Sequence, residues 1–341
     1  MPETTSPIGV LVMAYGTASG PEDIERYYTD IRGGRAPSPE HLQELRERYA
    51  AIGNVFPLLD TTRAQAEGLV DRLNAGGNGT FRAYLGMKHS PPFIPEGVAA
   101  MREDGVERAV GIVMAPHWSG MSVETYIERT LQAAGDGGPE CSFVRSYHLH
   151  PAFIRFLTDR VGEALTRLDA DDREKAAVVF SAHSLPTRTL PDGSMRCKTC
   201  DCADSCRYRD GLLDTADAVA SALDLPHHTI AWQSAGRTAD PWWGPAIEDA
   251  IPQLAAAGHP AVVVCSAGFV ADHLEILFDL DIEARAIAEE AGIRFERTRM
   301  PNADPEYLDV LAEVVRDHLS GVPETGVPDR AGPERGGQGA P

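Results

Sequence analysis

The sequence predicts an α/β fold of two similar doubly wound halves, Rossmann-like, each with a four-stranded parallel sheet and with a cleft between the halves. Short apolar runs alternate with helical patterns along the chain, which is the signature of βα units. Runs such as VVVC at 262–265 are apolar on both faces, which is typical of parallel strands covered by helices. The 341 residues allow two medium domains, each with its own core.

The strand-like runs divide the chain into two units of four. The predicted strands are 9–14, 80–85, 109–115, 142–146, 176–180, 229–232, 261–265 and 294–298. We therefore expect a first half at 8–150 and a second half at 151–320, with a cysteine insertion at about 187–210. The ends, 1–7 and 321–341, are expected to be disordered, because the tail is rich in Pro and Gly with few bulky apolar residues.

Composition excludes several classes of protein. The net charge of −20 argues against a nucleic-acid partner, because phosphate binding needs a basic surface. No run approaches the ~20 apolar residues of a membrane span, and no charged-then-apolar leader opens the chain. We expect a cytoplasmic, monomeric protein without an integral membrane segment.

The segment GFVADHLEILFDLDIE, at 268–283, carries a regular file of acids without Lys or Arg. If the segment is helical from about Asp272, then Asp272, Glu275, Asp279 and Glu283 fall on one face, where like charges repel. Two interpretations stay open: a path for a metal ion or protons, or simply the wet face of the helix.

Residues that follow the strands are the candidates for a site, since ligands bind beyond the carboxyl ends of parallel strands. His183 in SAHSLP can accept a proton or bind a divalent metal there. A loop histidine that only forms hydrogen bonds is the plain alternative, and Glu275, after a later strand, is the expected partner. Tyr15 in MAYGT could pack, donate a hydrogen bond or ligate iron as phenolate.

Two common motifs are absent. No G-x-S-x-G occurs, which excludes a serine hydrolase of the nucleophile-elbow type. No G-x-x-x-x-G-K-[ST] or G-x-G-x-x-G follows a strand, which argues against nucleotide binding. An anionic ligand could instead meet the basic residues Arg32, Arg35, Arg46, Arg48 and Lys88.

Four of the six cysteines form C-x₂-C-x-C-x₃-C: Cys197, Cys200, Cys202 and Cys206. Such crowding in a reducing compartment indicates a metal centre rather than disulfides. Four thiolates suit tetrahedral zinc or an iron–sulfur cluster, and the spacing leaves both open. Cys141 and Cys265 are expected to be small core residues.

Several separated motifs together resemble the ferrochelatase family. They are LVMAYGT, DIERYYTDIRGGR, YLGMKH, SAHSLP, WQSAGRTADPWWGP, the acidic segment and MPNADPEY, between Ile8 and Leu319. MAYGT and DIERYYTDIR are most similar to the coproporphyrin ferrochelatases of Gram-positive bacteria. The resemblance implies insertion of Fe²⁺, as a substrate, into a porphyrin in haem biosynthesis, with no nucleotide.

The resemblance also implies roles for individual residues. His183 and Glu275 match the catalytic pair, expected on opposite sides of the macrocycle, and Tyr15 approaches the iron from the other face. Asp279 and Glu283 match an outer metal site. The residues expected to line the porphyrin pocket are Ile31, Arg32, Arg48, Lys88 and Tyr126. The cysteine insertion resembles the 2Fe–2S ligand segment of actinobacterial relatives, which favours that cofactor over zinc.

The choice of porphyrin is less direct. Phe56 and Gly33 replace a Ser and an Arg of many relatives, which removes two contacts for propionates. The lack of an apolar membrane-facing lip favours coproporphyrin III, with four propionates, over protoporphyrin IX, with two. A transient partner that accepts the product is a further expectation. A cobalt or nickel chelatase of a sirohydrochlorin-type ring, and an iron–sulfur sensor or haem-handling protein, are the alternatives.

Overall fold

The first half is built on a parallel sheet whose strands are buried because helices cover both faces. The computed structural model describes residues 6–77, 80–199, 206–236 and 238–324. The first four strands are β1 (Ile8–Ala14), β2 (Phe81–Met87), β3 (Arg108–Val113) and β4 (Glu140–Val144). They pair in parallel in the order β2-β1-β3-β4.

The second half repeats this topology. Its strands are β5 (Ala177–His183), the antiparallel hairpin β6 (Thr187–Thr189) and β7 (Met195–Cys197), then β8 (His228–Gln233), β9 (Ala261–Cys265) and β10 (Arg294–Arg297). The parallel sheet has the order β10-β9-β5-β8. In each half the first strand lies between the second and the third, so the predicted duplication and fold class are confirmed.

Helices follow the strands of both halves. They are α1 (Ile24–Ile31), α2 (Pro39–Ala51), α3 (Leu58–Ala75), α4 (Ile94–Glu103), α5 (Val123–Ala134), α6 (Pro151–Thr166), α7 (Ala170–Lys175), α8 (Arg207–Leu223), α9 (Ile247–Ala256), α10 (Arg285–Glu290) and α11 (Pro305–Leu319). Short 3₁₀ turns span Pro21–Asp23 and Gly135–Gly137. Within the described ranges, no helix is long and apolar enough to cross a membrane.

The largest core joins the two halves. Its buried residues come from both parallel sheets and from α3, α6, α8 and α11, with Phe153 and Tyr307 among the largest fully buried side chains. Each such side chain contributes about 1.5–3 kcal/mol by leaving water. The helices are therefore fixed against both sheets, and the ends of the strands are held in place.

The segment after β9 crosses to the first half. Leu274 packs on a small core of Ala18, Ile24, Tyr27, Leu42 and Tyr49, all from the segments after β1. Gln65 of α3 donates to the backbone oxygen of Val270 at 3.0 Å. These contacts bring the acidic segment to the carboxyl end of the first sheet.

The acidic segment is not the α-helix that the spacing suggests. The helical run begins at Leu274, so Asp272 precedes it, and Ile276–Ala284 form a π-helix. The carboxylate of Asp272 accepts from Asn302 at 2.7 Å and from Arg297 at 3.3 Å. The file therefore has three members, Glu275, Asp279 and Glu283. π-helices are rare and frequently lie at functional sites.

The described part of the chain ends at Glu324. Residues 1–5 and 325–341 lie outside the described residues. Glu324 accepts the backbone N–H groups of Arg145 at 2.9 Å and Ser146 at 3.0 Å. The domain bounds and the expected disorder of both ends stay predictions.

Candidate active site

His183 is the last residue of β5 and lies at the carboxyl edge of the second sheet. The six residues before it are buried, because both faces of the strand are covered, whereas the imidazole is 35 % exposed. Its Nδ1 is bonded to the backbone oxygen of Ser184. A carbonyl oxygen only accepts, so Nδ1 carries the proton and the lone pair of Nε2 is directed outward.

Glu275 is the group that His183 faces. Nε2 of His183 and Oε1 of Glu275 are 3.7 Å apart, and the Glu275 side chain is 31 % exposed. This distance is too long for a hydrogen bond. When the imidazole is neutral, both atoms present lone pairs to each other, an arrangement that attracts a proton or a cation.

This distance corrects the expectation that the two residues lie on opposite sides of the macrocycle. A flat ring between Nε2 and Oε1 would need van der Waals clearance on both of its faces, about 3.5 Å for each carbon contact. The 3.7 Å gap gives room for only one such contact. In this arrangement no flat ring fits between the two atoms, and both residues come from the second half.

His273 is a second histidine on Glu275. Its Nε2 is 3.6 Å from Oε2 of Glu275, and its Nδ1 donates to the backbone oxygen of Ala271 at 2.9 Å. Burial alone would raise the pKa of Glu275, but the imidazoles of His183 and His273, when they are protonated, and the guanidinium of Arg48 lower it to about 2. Burial would likewise lower the pKa of His273, and Glu275 raises it instead. Glu275 is thus a carboxylate at neutral pH.

Asp279 is the most enclosed acid of the file, with only 2 % of its surface exposed. Arg48 of α2 donates to its Oδ1 and Ser234 donates to its Oδ2. Burial raises the pKa of Asp279 to about 7, with Glu275 and Glu283 adding to the rise and Arg48 and Ser234 opposing it. A carboxyl group with this pKa exchanges protons near neutral pH.

The file continues to the surface. Glu283 is exposed and lies four residues after Asp279 in the same π-helix. Glu248, at the start of α9, lies near it, since burial together with the charge of Glu283 raises the pKa of Glu248. The acids thus run from the partly exposed Glu275 through the buried Asp279 to solvent.

Tyr15 follows β1 in the first half and is 43 % exposed. Its ring lies on His89, with centroids 4.6 Å apart, and Nδ1 of His89 is 2.6 Å from Oδ1 of Asp30. Partial enclosure and the negative charges of Glu275 and Asp30 raise the pKa of the Tyr15 phenol. Tyr15 therefore stands within electrostatic range of Glu275, on the opposing half.

Lys88 and Tyr126 are adjacent, as the prediction of a shared pocket requires. Nζ of Lys88 donates to Oγ1 of Thr125 at 2.9 Å and lies 5.3 Å from the ring centroid of Tyr126. Burial and the neighbouring Arg129 lower the pKa of Lys88 to about 8. Lys88 and Arg129 border an open recess of about 390 Å³ that also touches Asp30, Gly33 and Phe93.

The other residues predicted to line the porphyrin pocket make different contacts. Ile31 packs against the core below α1, and Arg32 lies over the ring of Tyr28, 5.9 Å from its centroid. Arg48 is committed to Asp279 and to the ring of Phe278, 4.5 Å away, so the structure places it in the acidic file rather than only beside a porphyrin. Phe56 stacks on Tyr49 with centroids 4.6 Å apart.

The cysteine segment is described in part. Cys197 and Cys206 are free thiols, both buried, with their Sγ atoms 3.0 Å apart. The contact with the Cys197 thiol lowers the pKa of Cys206, and the backbone N–H groups of Arg209 and Tyr208 lower it further. Cys200 and Cys202 lie outside the described residues. Among the described residues, no group of three or more His, Cys, Asp or Glu side chains forms a metal site.

The sequence predicted no individual role for His273, Ser234, Glu248 or His89. His89, Ser234 and His273 all stand in segments that follow strands, and that position was a usable signal. Ser234 has a backbone φ of 58°, which few non-glycine residues adopt. Glu248 lies at the start of α9 and reaches the site through tertiary packing alone.

The sequence matches a known protein family over most of its length. A family model described as ferrochelatase matches residues 7–319. A coproporphyrin III ferrochelatase of Anoxybacillus flavithermus is 46% identical over 315 residues, which is 92% of this chain and 96% of that protein. The coproporphyrin III ferrochelatase of Bacillus subtilis is 43% identical over 315 residues, 92% of this chain and 98% of that protein.

Solved structures share the fold at low identity. SirB from Bacillus subtilis with Fe³⁺ has a TM-score of 0.53 and 10% identity, over 92% of this chain and 98% of that chain. The sirohydrochlorin chelatase SirB from Bacillus subtilis subspecies spizizenii, in complex with cobalt, has a TM-score of 0.51 and 8% identity, over 92% and 96%. These similarities show a common architecture of two α/β halves.

Proposed function

The chain belongs to the ferrochelatase family, and from this premise we propose that it inserts Fe²⁺ into coproporphyrin III in haem biosynthesis. The observation that carries the proposal is the opposition of His183 Nε2 and Glu275 Oε1 at 3.7 Å, open to solvent and followed by a file of acids. The reaction exchanges two pyrrole N–H protons for one Fe²⁺, so it needs a base beside the ring and a route for charge.

We infer that His183 takes the pyrrole protons. Its Nε2 lone pair is free because Nδ1 donates to Ser184. The neighbouring Glu275 carboxylate stabilises the imidazolium that forms, as an opposite charge within ~4 Å does. His273 lies beside the second oxygen of Glu275 and so keeps that carboxylate oriented.

Asp279 is proposed to carry protons outward. Both of its oxygens are already engaged, by Arg48 and by Ser234, which favours proton exchange over direct binding of iron. Its pKa of about 7 lets it accept a proton from the site and release it toward Glu283. Iron approach along the same file is the alternative, and Glu283 is then the outer ligand.

Tyr15 is proposed to face the iron from the other half. The charge of Glu275 acts on its phenol, which is consistent with a ring bound between the two. Lys88 and Arg129, beside the open recess, would bind propionates through charge-assisted hydrogen bonds. Tyr126 lies next to Lys88 and is proposed to line the same pocket, whereas Ile31 and Arg32 stay in the proposed lining on the family resemblance alone.

We further propose a 2Fe–2S cluster on Cys197, Cys200, Cys202 and Cys206. The two described thiols fit such a group: they converge without a disulfide, are buried, and Cys206 receives N–H donors from the first turn of α8. A cluster of this type supplies one-electron chemistry or structural cross-linking when bound. Cytoplasmic location, a monomeric state and a transient acceptor of the product stay predictions.

A competition experiment tests the reaction and the substrate together. The purified protein is given Fe²⁺ without oxygen and equal amounts of coproporphyrin III and protoporphyrin IX, and the metallated products are identified by absorbance and mass. The proposal expects iron mainly in coproporphyrin III. Insertion only into protoporphyrin IX overturns the substrate, and insertion into neither overturns the function.

A further inference from the structure

The backbone of His183 is held by a buried tyrosine that stands next to a cysteine. The hydroxyl of Tyr208 donates to the backbone oxygen of His183 at 2.9 Å. Tyr208 lies in the first turn of α8, two residues after Cys206. The start of this helix therefore carries both a thiol and the group that fixes the residue at the end of β5.

Trp243 connects the second described thiol to the same place. Its indole Nε1 donates to Sγ of Cys197 at 3.3 Å. Its backbone nitrogen donates to the oxygen of Leu185 at 3.2 Å, and its carbonyl accepts from Oγ of Ser184 at 2.9 Å. One residue thus contacts a thiol with its side chain and the two residues after His183 with its backbone.

The rings of Tyr208 and Trp243 are linked by a third buried ring. The ring of Trp232 lies between them, with centroids 5.6 Å from Tyr208 and 6.2 Å from Trp243. Trp232 is 1 % exposed and Trp243 is 8 % exposed. Because a close-packed interior leaves no free volume, a shift of one ring displaces the next.

We propose that Tyr208 and Trp243 are positioning residues that couple the cysteine segment to His183. When the group held by Cys197 and Cys206 is lost, the start of α8 and the Trp243 indole lose an anchor, and the backbone at 183–185 loosens. The lone pair of His183 then no longer faces Glu275 at a fixed distance. The catalytic consequence rests on the proposed function, while the coupling itself does not.

Kinetics of conservative variants give the first test. Tyr208→Phe and Trp243→Phe keep a buried ring and remove one donor each, and Tyr147→Phe, which loses a buried bond to the Tyr307 hydroxyl at 3.0 Å, is the matched control. The proposal expects kcat to fall about tenfold in the first two, since a misplaced catalytic group costs up to about 100-fold. KM for coproporphyrin III should change less than about twofold, because the two bonds position the catalytic group and do not touch the porphyrin. The Tyr147→Phe control should keep the wild-type kcat. Equal losses in all three variants would mean that the bonds only support the fold.

A second test needs no turnover. Hydrogen exchange of the amides at 183–185 is measured in Cys197→Ser and Cys206→Ser, with Tyr208 and Trp243 intact or both changed to Phe. When Tyr208 and Trp243 are intact, the proposal expects the cysteine variants to speed exchange of these amides. When both are Phe, the cysteine variants should add nothing, because the effects of coupled residues are not additive. Exchange unaffected by the cysteine variants, or affected equally in both backgrounds, overturns the coupling.

A spectroscopic measurement separates this coupling from packing. Hydrogen bonds to cluster sulfurs raise the reduction potential. Trp243→Phe should therefore lower the potential of the cysteine-bound centre, whereas Tyr147→Phe should leave it unchanged. An unchanged potential in Trp243→Phe contradicts the assignment of its N–H. If the wild type inserts no iron, the proposed function fails, and the exchange measurement still decides the coupling.

Discussion

The guanidinium of Arg48, in the first half of the chain, is bonded to the carboxylate of Asp279, in the π-helix of the second half. This ion pair joins the halves at the acidic file. Asp279 is almost fully buried, and the pair does not fully offset the cost of burying its charge, since its pKa stays near 7. The pair therefore sets the pH range in which the file can accept protons.

Removal of Arg48 should shift the pH profile. Arg48 lowers the pKa of Asp279, so Arg48→Met should raise it, by about one unit for a lost neighbouring charge. The deprotonated acceptor then forms only at higher pH. At pH 7 its fraction falls from about one half to about one eleventh, so kcat there should fall about fivefold. Rates from pH 6 to 9 test this. Arg46→Met is the control, because Arg46 makes only an exposed pair with Glu25 at 3.6 Å; identical profiles for the two variants would contradict the role of Arg48.

Asp279→Asn should abolish the change of kcat with pH that is centred near pH 7, which is the limb of the pH profile assigned to Asp279. The amide oxygen can still accept from Arg48 and the amide N–H group can donate to the Ser234 hydroxyl, but the side chain carries no exchangeable acid proton. We therefore expect kcat to fall about 100-fold, the lower end of general acid–base contributions. Asp272→Asn, which changes an acid bonded to Asn302 and Arg297, should keep the limb. A wild-type limb in Asp279→Asn would exclude Asp279 as the titrating group.

Asp279 also affects stability with a defined sign. Its pKa is raised on folding, so its contribution favours the fold below the unfolded pKa of 3.8 and is lost as the pH rises through about 7. The Tm of Asp279→Asn relative to wild type should therefore increase between pH 5 and pH 8. A difference in Tm that is constant over this range would show that folding does not raise the pKa of Asp279.

Cys200→Ser should lose the visible absorbance of the proposed cluster, and Cys197→Ser should do the same. Each removes one thiolate of the four. Cys141→Ser is the control, since Cys141 lies in β4 and its thiol donates to the backbone oxygen of Pro139 at 3.4 Å. Absorbance and iron content of the purified variants give the answer, and full absorbance in Cys200→Ser would refute the ligand set.

Tyr15→Phe should keep iron insertion and weaken binding of the product. The phenol is the group proposed to face the iron from the first half, so its loss should alter the axial-ligand bands of the bound metalloporphyrin. Tyr84→Phe, which removes a surface bond to Asp104 at 2.7 Å, is the matched control. If both variants give the same product spectrum as wild type, Tyr15 is not a ligand.

Much of the fold could be predicted from the sequence because buried parallel strands are short, apolar and regularly spaced. All eight predicted strands of the two parallel sheets occur, with bounds within a few residues, and the carboxyl-end rule placed His183 and Tyr15 correctly at strand ends. The π-helix was not predictable, since three acids spaced by four suit an α-helix equally well.

The geometry of the site depends on contacts between distant segments. The carboxyl-end rule indicated Glu275 as the partner of His183, and the two side chains lie 3.7 Å apart, but no local pattern gives this distance or direction. The same holds for Arg48, whose partner is 231 residues away. Residue types, strand ends and the His183–Glu275 pair were readable from the sequence, whereas the pair of Arg48 and Asp279 was not.

The central claim is that His183 is the base that removes the pyrrole protons, and the most direct measurement is the anaerobic initial rate of Fe²⁺ insertion into coproporphyrin III by His183→Ala. His228→Ala, which removes an outer imidazole paired with Asp217 at 2.9 Å, is the control. The account predicts a loss of at least about 100-fold with porphyrin binding retained, as expected for a general base. Turnover equal to that of wild type and of His228→Ala would contradict it.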